Sequence, residues 1–361
     1  AMKTVWLLGM HDLSNYGDAL FPYIFNHHID STDILLKCVS LTGQRSIFSD
    51  AWPSISLEHF HRCVQCNDIV VLLGGNIIFD IPFGFVESKK SPYPYNCNGS
   101  DFWLKGLEIA SEKNCRIIIN SVGAFAPLKK STLKRWNHLK DKIDYISWRD
   151  LSTWRIMGSD QNQMIVPDTA LHRDHSNLFL ANKFSEAEGK ILLNIRPRSL
   201  FGFDFSEVAS TLADLAQRWS LPIVAHANSE SHTDLMACQQ LSDHAPVPFE
   251  FEVAQSIQQS FNSIQKARLV ITSSMHTYVT KACIGGDVIL ITKPRYNKFK
   301  AVTASMHSPG FVTQSWDHLN QIENHDPRTF AVLGSESTAI LDFHWQKVKS
   351  ILFGKETSII G

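Results

Sequence analysis

The chain has 361 residues, 44% of them apolar and 19% charged, with a formal charge of −1. That length exceeds what one core usually takes and suits two domains. The near-neutral charge leaves no electrostatic footprint for nucleic acid, and the longest apolar run, 69–79, is interrupted by Gly74, Gly75 and Asn76 and is too short to span a bilayer.

The first predicted strand covers 5–8. A loop follows, and Asp18 is placed as the cap of a helix reaching about residue 29. Residues 34–40 read as a strand and 57–66 as a helix. Cys63-x-x-Cys66 has no second cysteine pair and lies on a segment with apolar residues at helical spacing, so packing is expected there rather than zinc. The seven cysteines, an odd number at scattered spacings, are expected as free thiols. The run 68–73 is apolar after Asp68, as in strands buried on both faces of a parallel sheet, and it ends in Gly74-Gly75-Asn76. Helices are predicted at 102–113, 132–140 and 151–157, with strands at 116–120, 145–148 and 164–166 between and after them.

The polar stretch 172–188 is the expected junction between two units, 1–175 and 176–361. Beyond it, 191–195 reads as a strand. Asp204 and Glu207 form a capping box, and Phe205, Val208, Leu212, Leu215 and Trp219 mark one helical face. A strand at 222–225 and a helix at 234–241 follow. Val253, Ile257, Phe261 and Ile264 mark another helical face. Then come a strand at 268–272, a helix at 277–284 stopped by Gly285-Gly286, and a strand at 288–291. A last helix, 338–353, carries Leu341, Trp345, Val348 and Leu352 on one stripe. Two such alternations predict two Rossmann-like, doubly wound α/β domains facing a cleft.

Chemistry gathers at the predicted strand ends, where open α/β sheets bind ligands. Ser273, Ser274 and His276 lie between a strand and a helix, where free backbone N–H groups favour an anion. The other reading there is a serine cap and a histidine that only packs. In Asn15-Tyr16-Gly17-Asp18, Gly17 admits close backbone approach and Asp18 is either an acceptor of a hydroxyl proton or merely a cap. Gly74-Gly75-Asn76 offers two glycines where a ligand would meet the backbone, or a tight turn. Arg149, in Trp148-Arg149-Asp150, and Arg196 and Arg198, in Asn194-Ile195-Arg196-Pro197-Arg198, offer planar forks suited to carboxylate or phosphate. Lys293 and Arg295 follow a strand toward the same cleft, or belong to a solvated basic loop. The long loop 80–101 carries Phe83, Phe85, Tyr93 and Tyr95, whose rings either face a sugar or tuck into the core.

Taken in order, these residues resemble the polysaccharide pyruvyl transferase family. The resemblance rests on Asn15-Tyr16-Gly17-Asp18-Ala19-Leu20, on residues 68–76, on Ser147-Trp148-Arg149-Asp150-Leu151-Ser152, on Val166-Pro167-Asp168 and on Ser273-Ser274-Met275-His276. Many members have Arg-x-His where this chain has Ser274-Met275-His276. Others have Ser-Leu-His-Gly, and this chain is closer to those. The family implies a GT-B-like fold, phosphoenolpyruvate as donor, and transfer of pyruvate to two sugar hydroxyls as a cyclic ketal. It also implies a bacterial polysaccharide or lipid-linked oligosaccharide as acceptor. His276 and Asp18 are then the acid–base candidates. Arg149, Arg196, Arg198, Ser273, Ser274, Lys293 and Arg295 are the donor candidates. Asn15, Gly17, Gly74, Gly75, Asn76, Phe83, Tyr93 and Tyr95 are the acceptor candidates. Neither a cofactor nor a metal is expected. Two rivals stay open: a nucleotide-sugar glycosyltransferase on the same architecture, and a saccharide-binding protein without turnover. The chain opens on a strand without a signal-like run, so a cytoplasmic protein is expected. At most it would make weak, salt-sensitive contact with the inner membrane face through Lys89 and Lys90.

Overall fold

Short aliphatic strands, each leading into a helix or loop, build two parallel sheets in the computed structural model, which describes residues 2–83, 92–94, 96–179, 188–293 and 297–354. The first sheet contains β1 (Lys3–Leu8), β2 (Ile34–Ser40), β3 (Ser54–Ser56), β4 (Ile69–Leu72), β5 (Gly75–Ile78), β6 (Arg116–Ala124), β7 (Tyr145–Trp148) and β8 (Met164–Ile165). Its order is β3-β2-β1-β4-β6-β7-β8, with β5 paired to β6. The second sheet contains β9 (Glu188–Asn194), β10 (Ile223–Ala227), β11 (Glu250–Val253), β12 (Ala267–Thr272) and β13 (Val288–Ile291), and ends, past β14 (Met306–Pro309), at β15 (Phe311–Thr313). Its order is β11-β10-β9-β12-β13-β15, while β14 pairs antiparallel with β16 (Ala331–Leu333).

Each order reverses once, between β1 and β4 and between β9 and β12. At such a reversal the loops leave in opposite directions and open a crevice beyond the carboxyl ends of the strands. Register brings those ends level: Leu8 pairs with Leu72, and Thr272 with Asn194.

The local chemistry differs from expectation at two points that matter for the site. The helix Tyr16–Ile29 is capped by Asn15, whose side chain accepts from the Gly17 backbone N–H, so Asp18 lies inside the first turn and is free of the capping role. The Gly74-Gly75-Asn76 segment is not only a turn. Gly75 takes a φ of +101°, which glycine adopts without strain, and the chain continues as β5. The helix at 277–284 begins earlier than predicted, at Met275, which places His276 in its first turn. Cys63 and Cys66 are exposed, and the helix, Leu57–Cys63, ends before Cys66 and packs through Leu57 and Phe60.

The C-terminal helix Ser335–Phe353 belongs to the second unit by chain position but packs across onto the first sheet. Its buried His344 bridges the Tyr145 hydroxyl at 2.8 Å and Asn120 Oδ1 at 2.7 Å. Lys3 donates to the Leu352 carbonyl, and Arg116 to that of Ile351. One apolar cluster therefore runs from Val5, Leu7 and Phe25 through Met275 and Tyr278 to Leu341, Trp345 and Leu352. No described helix is long and apolar enough to cross a membrane.

Leu341 is fully buried in this joint. Leu341→Ala is expected to cost about 2–5 kcal/mol of stability, read from the midpoint of urea denaturation. A change of only a few tenths would mean that the helix is not docked on the first sheet.

Candidate active site

The start of the first helix and the start of the helix Met275–Cys283 come from opposite sheets and meet face to face. The Tyr16 backbone N–H donates to the Asn228 carbonyl at 2.9 Å, and the Tyr16 hydroxyl pairs with Thr280 Oγ1 at 2.7 Å. Between the helices only glycine fits: a Cβ at Gly17 would lie 2.2 Å from His276 Nδ1. The other ring nitrogen of His276, Nε2, faces Asp168 Oδ2 at 3.3 Å. That hydrogen bond selects the tautomer with its lone pair on Nδ1, above Gly17 and near Asp18. Phe21 meets the imidazole edge-on at 5.2 Å and fixes the ring plane.

Asp18 is held by Asn15, whose amide donates to Oδ2 at 2.7 Å. Burial pushes its carboxyl above the usual range, although His276, Asn15, Arg196 and Lys298 pull the other way. Burial also pushes Asp168 up, but His276 and Arg149 outweigh it and hold that carboxyl down. Two carboxyls thus flank His276, one pushed above its ordinary range and one held below it.

On the second-sheet side, Asn194 at the end of β9 organises the backbone. Its amide donates to the His226 carbonyl at 2.8 Å, its Oδ1 accepts from Thr272 Oγ1 at 3.2 Å, and its own carbonyl accepts from the Ser273 N–H at 3.1 Å. Ser273 Oγ in turn accepts from the Arg196 N–H at 2.8 Å. Arg149, at the end of β7, is almost wholly buried. It donates to Asn76 Oδ1 at 2.5 Å and lies 3.5 Å from Asp150 and 3.8 Å from Asp168.

The cleft between the sheets has two adjoining volumes, of about 520 and 400 Å³. Asn76, Phe125, Arg149, Arg196, Arg198 and Lys298 line both. His276, Asp18, Asn15 and Gly75 open onto the smaller, and Ser273 and Lys293 onto the larger. Lys293 also lies 5.2 Å over the Phe201 ring. Arg149, from the first sheet, and Arg196, Arg198 and Lys298, from the second, therefore converge on the cleft beside His276 and Asp18.

Several candidates lie elsewhere. Phe83 and Tyr93 are core residues, 4.3 Å apart between ring centres, and the Tyr93 hydroxyl donates to Asp12. Neither reaches the cleft, because loop aromatics gain more by covering the apolar edge of the first sheet. Gly74 abuts Phe21, and Ser274 is buried at the helix cap, its side chain making no capping bond. Tyr95, Arg295, Phe85, Lys89 and Lys90 lie outside the described residues.

Three residues of the site were not singled out from the sequence. Asp168 stands in the Val166-Pro167-Asp168 motif, but its partner is 108 positions away. Lys298 lies in the basic stretch 293–300, whose residues read alike in the sequence. Its ammonium is pushed down to about 7 by burial and then by Arg196, Arg149 and Arg198, against the pull of Asp18. His232 lines the smaller volume and is held well below its ordinary value by burial, Arg196, Lys298 and Arg198. Only an acid-to-base charge count around the cleft would have found the last two.

A family model described as polysaccharide pyruvyl transferase matches residues 15–279. No curated protein matches the chain. Among solved structures, the UDP-GlcNAc 2-epimerase of Methanocaldococcus jannaschii in complex with UDP-GlcNAc and UDP is similar at 12% identity and a TM-score of 0.60, over 98% of this chain and 100% of that one. MnaA of S. aureus in a co-structure with UDP is similar at 12% and 0.55, over 100% of each chain. The UDP-N-acetylglucosamine 2-epimerase from Rickettsia bellii is similar at 9% and 0.54, over 98% and 96%. At these identities the likeness is one of fold, and the fold is GT-B-like.

Lys298 gives the cleft a signature in pH. Below about 7 its ammonium is charged, and above that it loses the proton. An anion in the cleft favours the charged form, so binding takes up a proton and anion affinity falls as pH rises through neutrality. Sulfate, whose charge is constant from pH 6 to 9, should bind the native protein on the order of tenfold more weakly at the upper end. Lys298→Met should bind it weakly and with a flat profile. Calorimetric titration checks both, and an unchanged slope in the variant would remove Lys298 as the source.

Proposed function

We propose that this chain, which belongs to the polysaccharide pyruvyl transferase family, takes phosphoenolpyruvate as donor and closes a cyclic ketal on two hydroxyls of a glycan sugar, releasing phosphate. The observation that carries this reading is the convergence of Arg149, Arg196, Arg198 and Lys298 on a cleft that also presents His276 and Asp18. Phosphoenolpyruvate combines a carboxylate and a phosphate on a small frame, and four cations match that charge better than they match a neutral sugar.

In the proposed chemistry, the methylene carbon of the donor gains a proton and C2 becomes cationic. One sugar oxygen attacks C2 and the C2–O bond to phosphate breaks. The second sugar oxygen then closes the ring. Two hydroxyl protons are released, one replacing the proton delivered to the methylene carbon and one leaving with phosphate. Two acid–base groups suffice. His276, with Asp168 holding its ring, accepts the proton of the attacking hydroxyl, and Asp18, whose carboxyl burial pushes upward, delivers a proton to the methylene carbon of the donor. Lys298 provides the charge that many relatives place two residues before the histidine, where this chain has the buried Ser274. Asn15, Gly75 and Asn76 line the volume beside His276, which suits the acceptor sugar. Its polymer or lipid carrier would extend outward.

Incubation with phosphoenolpyruvate and a panel of galactosides, glucosides and N-acetylmannosaminides is expected to release phosphate only when a suitable acceptor is present, with a mass gain on the sugar. His276→Ala should lower that turnover roughly a hundredfold or more, with folding intact. Tight UDP or GDP binding with no phosphate release would favour a glycosyltransferase instead.

Arg196→Ala and Arg198→Ala should weaken donor binding more than acceptor binding, each lost charge-assisted contact costing about 1.5–3 kcal/mol. Calorimetry with phosphoenolpyruvate measures this directly. An arginine whose removal leaves donor affinity unchanged does not hold the donor.

A further inference from the structure

Behind the cleft, on the other end of the first helix, three histidines converge. His28 lies in the last turn of Tyr16–Ile29, and His172 and His175 follow Asp168 in the chain between the two sheets. One ring nitrogen from each lies within 4.8 Å of the others. None of the three lines either cleft volume. We propose that His28, His172 and His175 form a binding site for a transition-metal ion, of the kind that imidazole ligands select: zinc, or nickel or copper in its place.

The hydrogen bonds around the cluster support ligation. His175 Nδ1 lies 2.8 Å from the Ala170 carbonyl, so it carries the proton and Nε2 is left with its lone pair. A backbone carbonyl behind one nitrogen is the usual way a protein orients a metal-bound histidine. That Nε2 points at His28 Nε2, 3.0 Å away. Two imidazole nitrogens on one tetrahedral ion, each about 2.0–2.1 Å from it, stand roughly 3.3 Å apart. His172 Nε2 meets Asp342 Oδ1 at 2.9 Å, and its Nδ1 accepts from the Asp174 backbone N–H at 3.2 Å. His28 is braced from behind, stacked on Trp345 at 4.3 Å with the rings 9° from parallel.

The site joins the last turn of the first helix to the segment four residues beyond Asp168. Three imidazole nitrogens suit zinc, nickel or copper, whereas calcium and magnesium prefer oxygen alone.

The test uses the full-length protein, dialysed against a chelator and titrated with Co²⁺ and then Zn²⁺. One equivalent of cobalt should bind with the visible absorption of a four-coordinate site and be displaced by zinc. X-ray absorption of the zinc form should show imidazole nitrogens at about 2.0–2.1 Å. His28→Gln and His175→Gln should each weaken zinc binding at least about a hundredfold, with near-ultraviolet circular dichroism unchanged. A native protein that takes up no stoichiometric cobalt leaves only a histidine–tryptophan packing cluster and overturns the proposal. So does a sulfur shell, which would place the metal on the exposed Cys63 and Cys66, or tight zinc binding retained by both folded variants. Should neither variant fold, the absorption spectrum of the native zinc form decides alone.

Discussion

The arrangement depends on two helix starts, one from each sheet, that meet with only the clearance of a glycine. Gly17 has no side chain because the imidazole of His276 fills that space. The contact sets the spacing of the sheets at the cleft and places the histidine's Nδ1 against the first turn of the opposing helix. Everything near it is held in the same way. Asn15 pairs with Ser229 across the gap, Tyr16 reaches Thr280, and Asp168 fixes the far side of the ring.

Charge crowding gives the second constraint. Arg149 from the first sheet and Arg196, Arg198 and Lys298 from the second crowd the same cleft, and burial, together with that crowding, pushes Lys298 and His232 toward their neutral forms. Asp18, Asp150 and Asp168 compensate only part of it. A cleft that disfavours its own cations binds an incoming anion with a gain, because the ligand supplies what the protein omits. The apolar cluster that runs through both sheets and the C-terminal helix supports this unfavourable arrangement, as buried packing commonly does for functional sites.

Much of the site was legible in the sequence because it sits where strands end. His276, Asp18, Arg149, Arg196, Arg198, Asn15, Gly75 and Asn76 were all marked by a change from apolar runs to glycine, serine, asparagine or arginine, and all of them line the cleft. The aromatic loop misled for a physical reason: Phe83 and Tyr93 carry the same composition whether they face a sugar or cover the first sheet, and burial favours the second. Asp168 and Lys298 were hidden because their roles lie wholly in partners far away in the chain.

The sequence by itself determined the alternation of strands and helices, the edges at which they stop and hence the loops that carry the chemistry. These follow from side-chain periodicity, capping and turn residues, each governed by neighbours within a few positions. Only the tertiary structure decided which strands lie side by side, that Gly17 meets His276, that Asp168 rather than solvent holds that histidine, and that the C-terminal helix returns to the first sheet. It also gathered His28, His172 and His175, whose spacing of 144 and 147 residues across the chain forms no motif. Contacts of this kind are set by the packing of whole elements, and the carboxyl and ammonium groups they surround take their protonation from a field that no local stretch of sequence contains.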